Sequence, residues 1–204
     1  MDLTSIYSVP FWQSDYWEFE NDKESFLNAV KEYKENNPTK ETPRSNINGY
    51  QSPDTLQGVA ELKELFEYFC QMGFKAVSDL DFVPCDIALT SAWLNVNDSR
   101  QCIISEHVHG DTFTGVFYLK APHGSGKFCI RNPSLNPLWY GRQLAKEKNQ
   151  FTAEVIRVVP VEGSVLLYPS YLPVSVEPND HDEETISISF SLIALPKGTI
   201  YPQK

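Results

Sequence analysis

The stretch Glu106-His107-Val108-His109-Gly110-Asp111-Thr112-Phe113-Thr114-Gly115-Val116-Phe117-Tyr118-Leu119 decides how this chain is read. Two imidazoles separated by one residue run into an apolar, alternating segment. Side chains of a strand alternate between faces with period two, so His107 and His109 share a face. Two nitrogen donors on one face are the beginning of a metal-ligand set. A second stretch has the same texture: Glu162-Gly163-Ser164-Val165-Leu166-Leu167-Tyr168-Pro169-Ser170-Tyr171-Leu172-Pro173-Val174-Ser175-Val176-Glu177-Pro178. Its short apolar runs, broken by Gly and Pro, read as strands joined by turns.

Outward from these stretches the pattern continues. Short β runs fall at 87–96, 101–107, 113–120, 127–130, 151–159, 164–168, 174–177 and 185–194, separated by Gly, Pro, Asn and Asp clusters. Short strands at this spacing, with no β-α alternation, predict an antiparallel sandwich or barrel and exclude a doubly wound parallel sheet. Upstream, Ile6 to Trp12 predicts a strand. Asp22 to Asn36 predicts an amphipathic helix with Phe26, Leu27, Val30 and Tyr33 on one stripe, ended by Asn36-Asn37-Pro38. Residues 37–53 read as a polar loop. A second helix over 54–72 turns Leu56, Val59, Ala60, Leu62, Phe66 and Phe69 toward a core, with Gly73 as its terminator. The 131–150 stretch reads as a long loop. The chain is thus expected to form a single domain, 1–204, with 1–85 a mixed helical cover and 86–194 the β core.

Composition supports one sizeable core, since 41% of the 204 residues are hydrophobic and 13% aromatic. The 27 acidic against 17 basic residues, a net charge of -10, argue against a nucleic-acid partner, whose phosphates require clustered Lys and Arg. No apolar run reaches the roughly 18 to 20 residues of a bilayer span. No basic segment followed by an apolar one marks a signal peptide. The expectation is a soluble protein made and kept in the cytoplasm, without a membrane partner. Cys70, Cys85, Cys102 and Cys129 have no C-x-x-C spacing and are expected as buried free thiols. His123, in a Pro-His-Gly-Ser-Gly turn, and His181, among the acidic residues 180–184, are expected in solvent.

From Trp93 onward the motifs resemble one family. They are Trp93-Leu94-Asn95-Val96-Asn97, the His107-Val108-His109 pair, Gly115 to Lys120, Gly124-Ser125-Gly126, Arg131-Asn132-Pro133, Tyr168 to Pro173, Ser175 to Asn179 and Ile186-Ser187-Ile188-Ser189-Phe190, with Ser45 to Ser52 upstream. The chain resembles the iron(II)- and 2-oxoglutarate-dependent oxygenases frequent in marine bacteria and their phages. The resemblance implies a mainly β, antiparallel double-stranded β-helix (a cupin-like jelly roll) with flanking helices. It also implies Fe(II), held by an H-x-(D/E/H) pair and a distal histidine, and 2-oxoglutarate, whose far carboxylate pairs with an Arg or Lys shortly after that histidine. On these positions His107 and His109, with Asp111 as a further carboxylate, are the metal candidates; Tyr118, Arg131 and Thr185 are the cosubstrate candidates. Arg157 is the other guanidinium in reach.

Two positions depart from the pattern. Val174 stands where the distal histidine is expected, and valine has no lone pair to give a metal. Thr185 stands at the clamp, where a hydroxyl cannot replace a bidentate, charge-assisted pair. The resulting expectation is a binding or structural protein without catalysis, phage-encoded or virion-associated, working through a protein partner or self-association. The alternative is an oxygenase that uses the His107/His109 pair, with Asp111, water or substrate in the third position.

Overall fold

The computed structural model describes residues 8–38, 46–47, 49–107, 109–134, 143–149 and 151–199, without the side chains of 47 and 102–107. In chain order the elements are β1 (Trp12–Asp15), α1 (Phe19–Asn36), β2 (Asn46–Ile47), β3 (Tyr50–Gln51), α2 (Lys63–Asp79), β4 (Cys85–Asn97), β5 (Cys102–His107), β6 (Phe113–Lys120), β7 (Phe128–Arg131), β8 (Val155–Val158), β9 (Ser164–Pro169), β10 (Val174–Val176) and β11 (Thr185–Pro196). They form a six-stranded sheet, β1-β9-β6-β11-β4-β3, and a five-stranded sheet, β2-β5-β10-β7-β8. Pairing is antiparallel throughout, as expected for a jelly roll.

Alternation along β11 explains how the layers separate. Ile186, Ile188, Phe190 and Leu192 are buried in one cluster with the helix residues Phe26, Val30, Leu65 and Phe69. Phe69 of α2 stacks on Phe190 of β11, with ring centroids 3.8 Å apart. The intervening Thr185, Ser187 and Ser189 point the other way and line a cavity between the sheets. β4 divides in the same way: Ala92, Leu94 and Val96 join the helix-side cluster, while Trp93 and Asn97 line the cavity. A second cluster joins β6 and β9 of one sheet to β7 and β10 of the other through Val116, Tyr118, Phe128, Ile130, Leu166, Tyr168 and Val174. Both helices therefore cover the outer face of the six-stranded sheet, each buried large side chain contributing about 1.5–3 kcal/mol.

Several boundaries differ from the sequence expectation. The helix expected over 54–72 begins as two 3-10 turns, Leu56–Gly58 and Ala60–Leu62, and becomes α2 only at Lys63. Leu56 and Leu62 are both fully buried, yet residues six apart in an α-helix lie about 120° apart around its axis. The extended residue Val59 between the turns lets both enter the core. Gly73 does not end the helix. It lies within α2, where a Cβ would fall 2.8 Å from Ile87 Cγ2 and 2.9 Å from Leu192 Cδ1, so its lack of a side chain lets the helix approach the sheet closely. The helix stops instead at Asp79, before Asp81 at φ 54.

α1 starts at Phe19 because that ring packs on Phe117, with centroids 5.9 Å apart. β1 starts at Trp12, where the expected strand ended; residues 6 and 7 lie outside the described residues. β2 and β3 occupy the segment read as a loop, paired with β5 and β4. The expected strand 151–159 contracts to β8, and 131–150 lies partly outside the described residues. Cys129 is a buried free thiol as expected, but Cys70 and Cys85 are only half-buried; the side chain of Cys102 is not described. Among the described residues no helix is long and apolar enough to cross a membrane.

Candidate metal and cosubstrate site

The register of the five-stranded sheet places the candidate ligands. β10 pairs with β5 so that Val174 lies directly across from His107, and with β7 so that Val174 lies across from Ile130. The residue expected at the distal-ligand position is thus a direct cross-strand neighbour of His107. The side chain of His107 is outside the described residues. His109 lies just past the end of β5, held by its backbone N–H to the Ser170 carbonyl at 2.8 Å. Its ring faces Trp93, with centroids 5.4 Å apart, and lines the same cavity as Val174. Val174 is only 2% exposed and packs in the inter-sheet cluster.

Asp111 does not join this group. Its carboxylate accepts a hydrogen bond from Thr90 Oγ1 at 3.1 Å, and it does not line the cavity. Among the described residues no three of His, Cys, Asp and Glu converge as a metal-holding set.

The clamp position is buried and already engaged. Thr185 shares a hydrogen bond with Ser125 Oγ at 2.9 Å and donates to Asn179 Oδ1 at 3.2 Å. Asn179 is the hub of this end of the cavity: its Oδ1 also accepts from the Gly126 N–H at 2.9 Å, and its Nδ2 donates to the Asn97 carbonyl at 2.6 Å. Gly126 is needed there, since a Cβ would lie 1.7 Å from the Glu177 carbonyl oxygen.

Tyr118 is the cosubstrate candidate that the cavity does take in. It is 2% exposed, and its phenolic oxygen is buried without a hydrogen-bond partner. Burial pushes its pKa far above the ordinary phenol value, so it keeps its proton at neutral pH. Tyr168, beside it in the inter-sheet cluster, is pushed up by burial and then by Tyr118. Arg131 does not reach the cavity. Its Nη1 meets Glu154 Oε1 at 2.7 Å in a half-exposed pair at the end of β7. Arg157 is likewise paired on the surface, with Glu177 at 2.7 Å. No Lys or Arg lines the cavity among the described residues.

Of the remaining histidines, His123 is exposed as expected. His181 is half-buried, its Nδ1 accepting the Glu183 N–H at 3.0 Å. Sequence reasoning gave no role to Asn179, which it quoted only as the end of the Ser175 to Asn179 motif. It also quoted Ile186-Ser187-Ile188-Ser189-Phe190 without reading that alternation as a polar inner wall.

Residues 91–191 match the profile of a family described as "Putative 2OG-Fe(II) oxygenase". Among solved structures, the fold is similar to the non-heme alpha ketoglutarate dependent epimerase SnoN from nogalamycin biosynthesis (TM-score 0.65, 12% identity, 96% of this chain and 89% of that one). It is similar also to HygX from Streptomyces hygroscopicus with nickel and 2-oxoglutarate bound (TM-score 0.62, 14% identity, 93% and 84%). A third is a Pseudomonas putida prolyl-4-hydroxylase (TM-score 0.60, 13% identity, 94% and 95%). No curated protein sequence matches the chain. The architecture is thus the double-stranded β-helix of these enzymes, and residues 91–191 carry the match to the 2OG-Fe(II) oxygenase family.

The family match implies Fe(II) and 2-oxoglutarate, and the described residues do not fit that pair. Val174 brings a hydrocarbon side chain to the position opposite His107. Thr185 has spent its hydroxyl on Ser125 and Asn179, and among the described residues no Lys or Arg lines the cavity to meet a carboxylate. The enclosed space, about 30 Å³, holds one or two water molecules.

Proposed function

We propose that this chain keeps the oxygenase scaffold as a binding protein and does not carry out the iron- and 2-oxoglutarate-dependent reaction. One observation carries the proposal: the buried Val174, the residue read as standing for the third ligand, sits across the β10–β5 ladder from His107. Two neutral imidazoles alone make a weak site for a divalent ion, because the protein must supply most of the coordination that water would otherwise give. A dianionic cosubstrate would enter without a cation to offset its desolvation.

The test is metal analysis of the purified protein, with thermal melts in the presence and absence of Fe(II) and 2-oxoglutarate under anaerobic conditions. A ligand at a hundred times its Kd stabilises by about 2.7 kcal/mol, or about 5–11 °C for a chain of this size. The expected result is well under one equivalent of iron and no such shift. Stoichiometric iron together with a shift of that size would overturn the proposal. One observation favours the second reading, an oxygenase working through His107 and His109: His109 shares the cavity with the unpaired phenol of Tyr118.

A further inference from the structure

Three asparagines, Asn179, Asn97 and Asn46, lead from the end of the cavity to the short edge strands β2 and β3. β2 lies on β5 of the five-stranded sheet and β3 on β4 of the six-stranded one, so the chain crosses between the sheets at Gly49. A Cβ on Gly49 would fall 2.4 Å from Asn46 Oδ1 and 2.4 Å from Asn97 Oδ1. The two oxygens therefore converge on one point and lie no more than twice that distance apart. Asn46 is 1% and Asn97 5% exposed, and neither oxygen has a hydrogen-bond partner. An amide oxygen only accepts, so two of them turned toward each other in a buried place repel, and each leaves a hydrogen bond unmade.

The neighbouring bonds decide which amide gives way. Asn46 is fixed as it stands, because its Nδ2 donates to the Tyr50 carbonyl at 3.2 Å. The side-chain amide of Asn97 makes no hydrogen bond among the described residues; its backbone carbonyl is the group that Asn179 Nδ2 engages. Half a turn about the Cβ–Cγ bond exchanges Oδ1 and Nδ2 of Asn97 with almost no change of shape.

We infer that Asn97 turns its Nδ2 to Asn46 Oδ1 and so closes a clasp between the two sheets over Gly49. The clasp completes a chain of hydrogen bonds. The Gly126 N–H donates to Asn179 Oδ1, Asn179 Nδ2 to the Asn97 carbonyl, Asn97 Nδ2 to Asn46 Oδ1, and Asn46 Nδ2 to the Tyr50 carbonyl. β2 and β3 have two residues each and few ladder bonds of their own. The clasp fastens them to the Asn179 end of the cavity, and with them the outer edge of β5, the strand that carries His107.

The experiment uses the full chain. By NMR, the Asn97 Hδ2 protons should give cross-peaks to the Gly49 Hα protons and exchange with solvent at least tenfold more slowly than those of the exposed Asn36. Thermal melts of Asn46→Ala, Asn97→Ala and the double variant give a second readout. Asn97→Ala should melt below the parent protein. The double variant should fall short of the sum of the two single shifts by about 2–4 °C, the size of one hydrogen bond in a chain of this length. Asn97 Hδ2 protons that exchange like those of Asn36 and show no cross-peak to Gly49 would overturn the inference. So would additive shifts, or an Asn97→Ala protein that melts higher than the parent, which is the mark of two repelling oxygens.

Discussion

Replacing Val174 by histidine tests the site at its central position. The side chain is 2% exposed and packed between β5 and β7, so a larger, polar ring must enter a filled space. Overpacking of this kind costs about 1–3 kcal/mol. With each kcal/mol worth about 2–4 °C for a chain of this length, Val174→His in chelator should melt about 2–12 °C below the parent protein. If position 174 completes a ligand set with His107 and His109, a divalent ion at a hundred times its Kd returns about 2.7 kcal/mol, enough to offset much of the loss. The parent protein should show no comparable response to metal. Adding Thr185→Arg should extend the gain to 2-oxoglutarate, and each change alone should do less than its share, because the two ligands would act as a unit. Thermal melts with EDTA or Ni(II), followed by anaerobic calorimetry of 2-oxoglutarate into the metal-loaded double variant, read out both steps. A Val174→His protein that melts identically in EDTA and in metal would refute the placement of 174 as the ligand position.

Two further predictions concern the scaffold. Gly73→Ala should lower the melting temperature although alanine is the better helix former by about 1 kcal/mol, since its methyl would press on Ile87 and the fully buried Leu192; a rise in thermal unfolding temperature would show that α2 can lift off the sheet. Burial raises the pKa of the Glu162 carboxyl, but hydrogen bonds from Lys23 at 2.5 Å and the Ala121 N–H at 3.1 Å outweigh it, leaving the value depressed. Its stabilisation should therefore be present at neutral pH and fade as pH falls through the carboxylate range. Glu162→Gln should be less stable than the parent near pH 7, by up to about 1 kcal/mol for so exposed a pair, with the gap closing in acid; denaturant titrations showing a constant gap from pH 7 to 3 would contradict this.

The fold was legible wherever burial imposes a period on the sequence. β6, β9 and β11 announce themselves because one face must be apolar. β2 and β3 do not, since these two-residue strands are held by backbone pairing and carry polar side chains such as Asn46 and Gln51 that no periodicity can flag. Gly73 was misread because a glycine near a helix end has two physical explanations, a left-handed cap or a close approach, and only the packing partner distinguishes them. At the site, the family resemblance singled out Val174, and the structure sets it across β10 and β5 from His107. Asp111 and Arg131 were candidates by residue type, but their local partners, Thr90 and Glu154, draw both away from the cavity. The motif that ends at Asn179 gave no hint of its role, which comes from hydrogen bonds to Asn97, Gly126 and Thr185 that the roll of the chain brings together.

The strands of the six-stranded sheet serve two masters at alternate residues. On β11, Ile186, Ile188, Phe190 and Leu192 belong to a core shared with the helices, while Thr185, Ser187 and Ser189 face the cavity. Replacing Thr185 or Ser187 therefore leaves the helix-side core in place, so the chemistry of this wall can drift while the architecture persists. A single barrel can in this way pass from one cargo to another through a succession of folded intermediates, each tolerated because its solvent-shielded scaffold never has to be rebuilt.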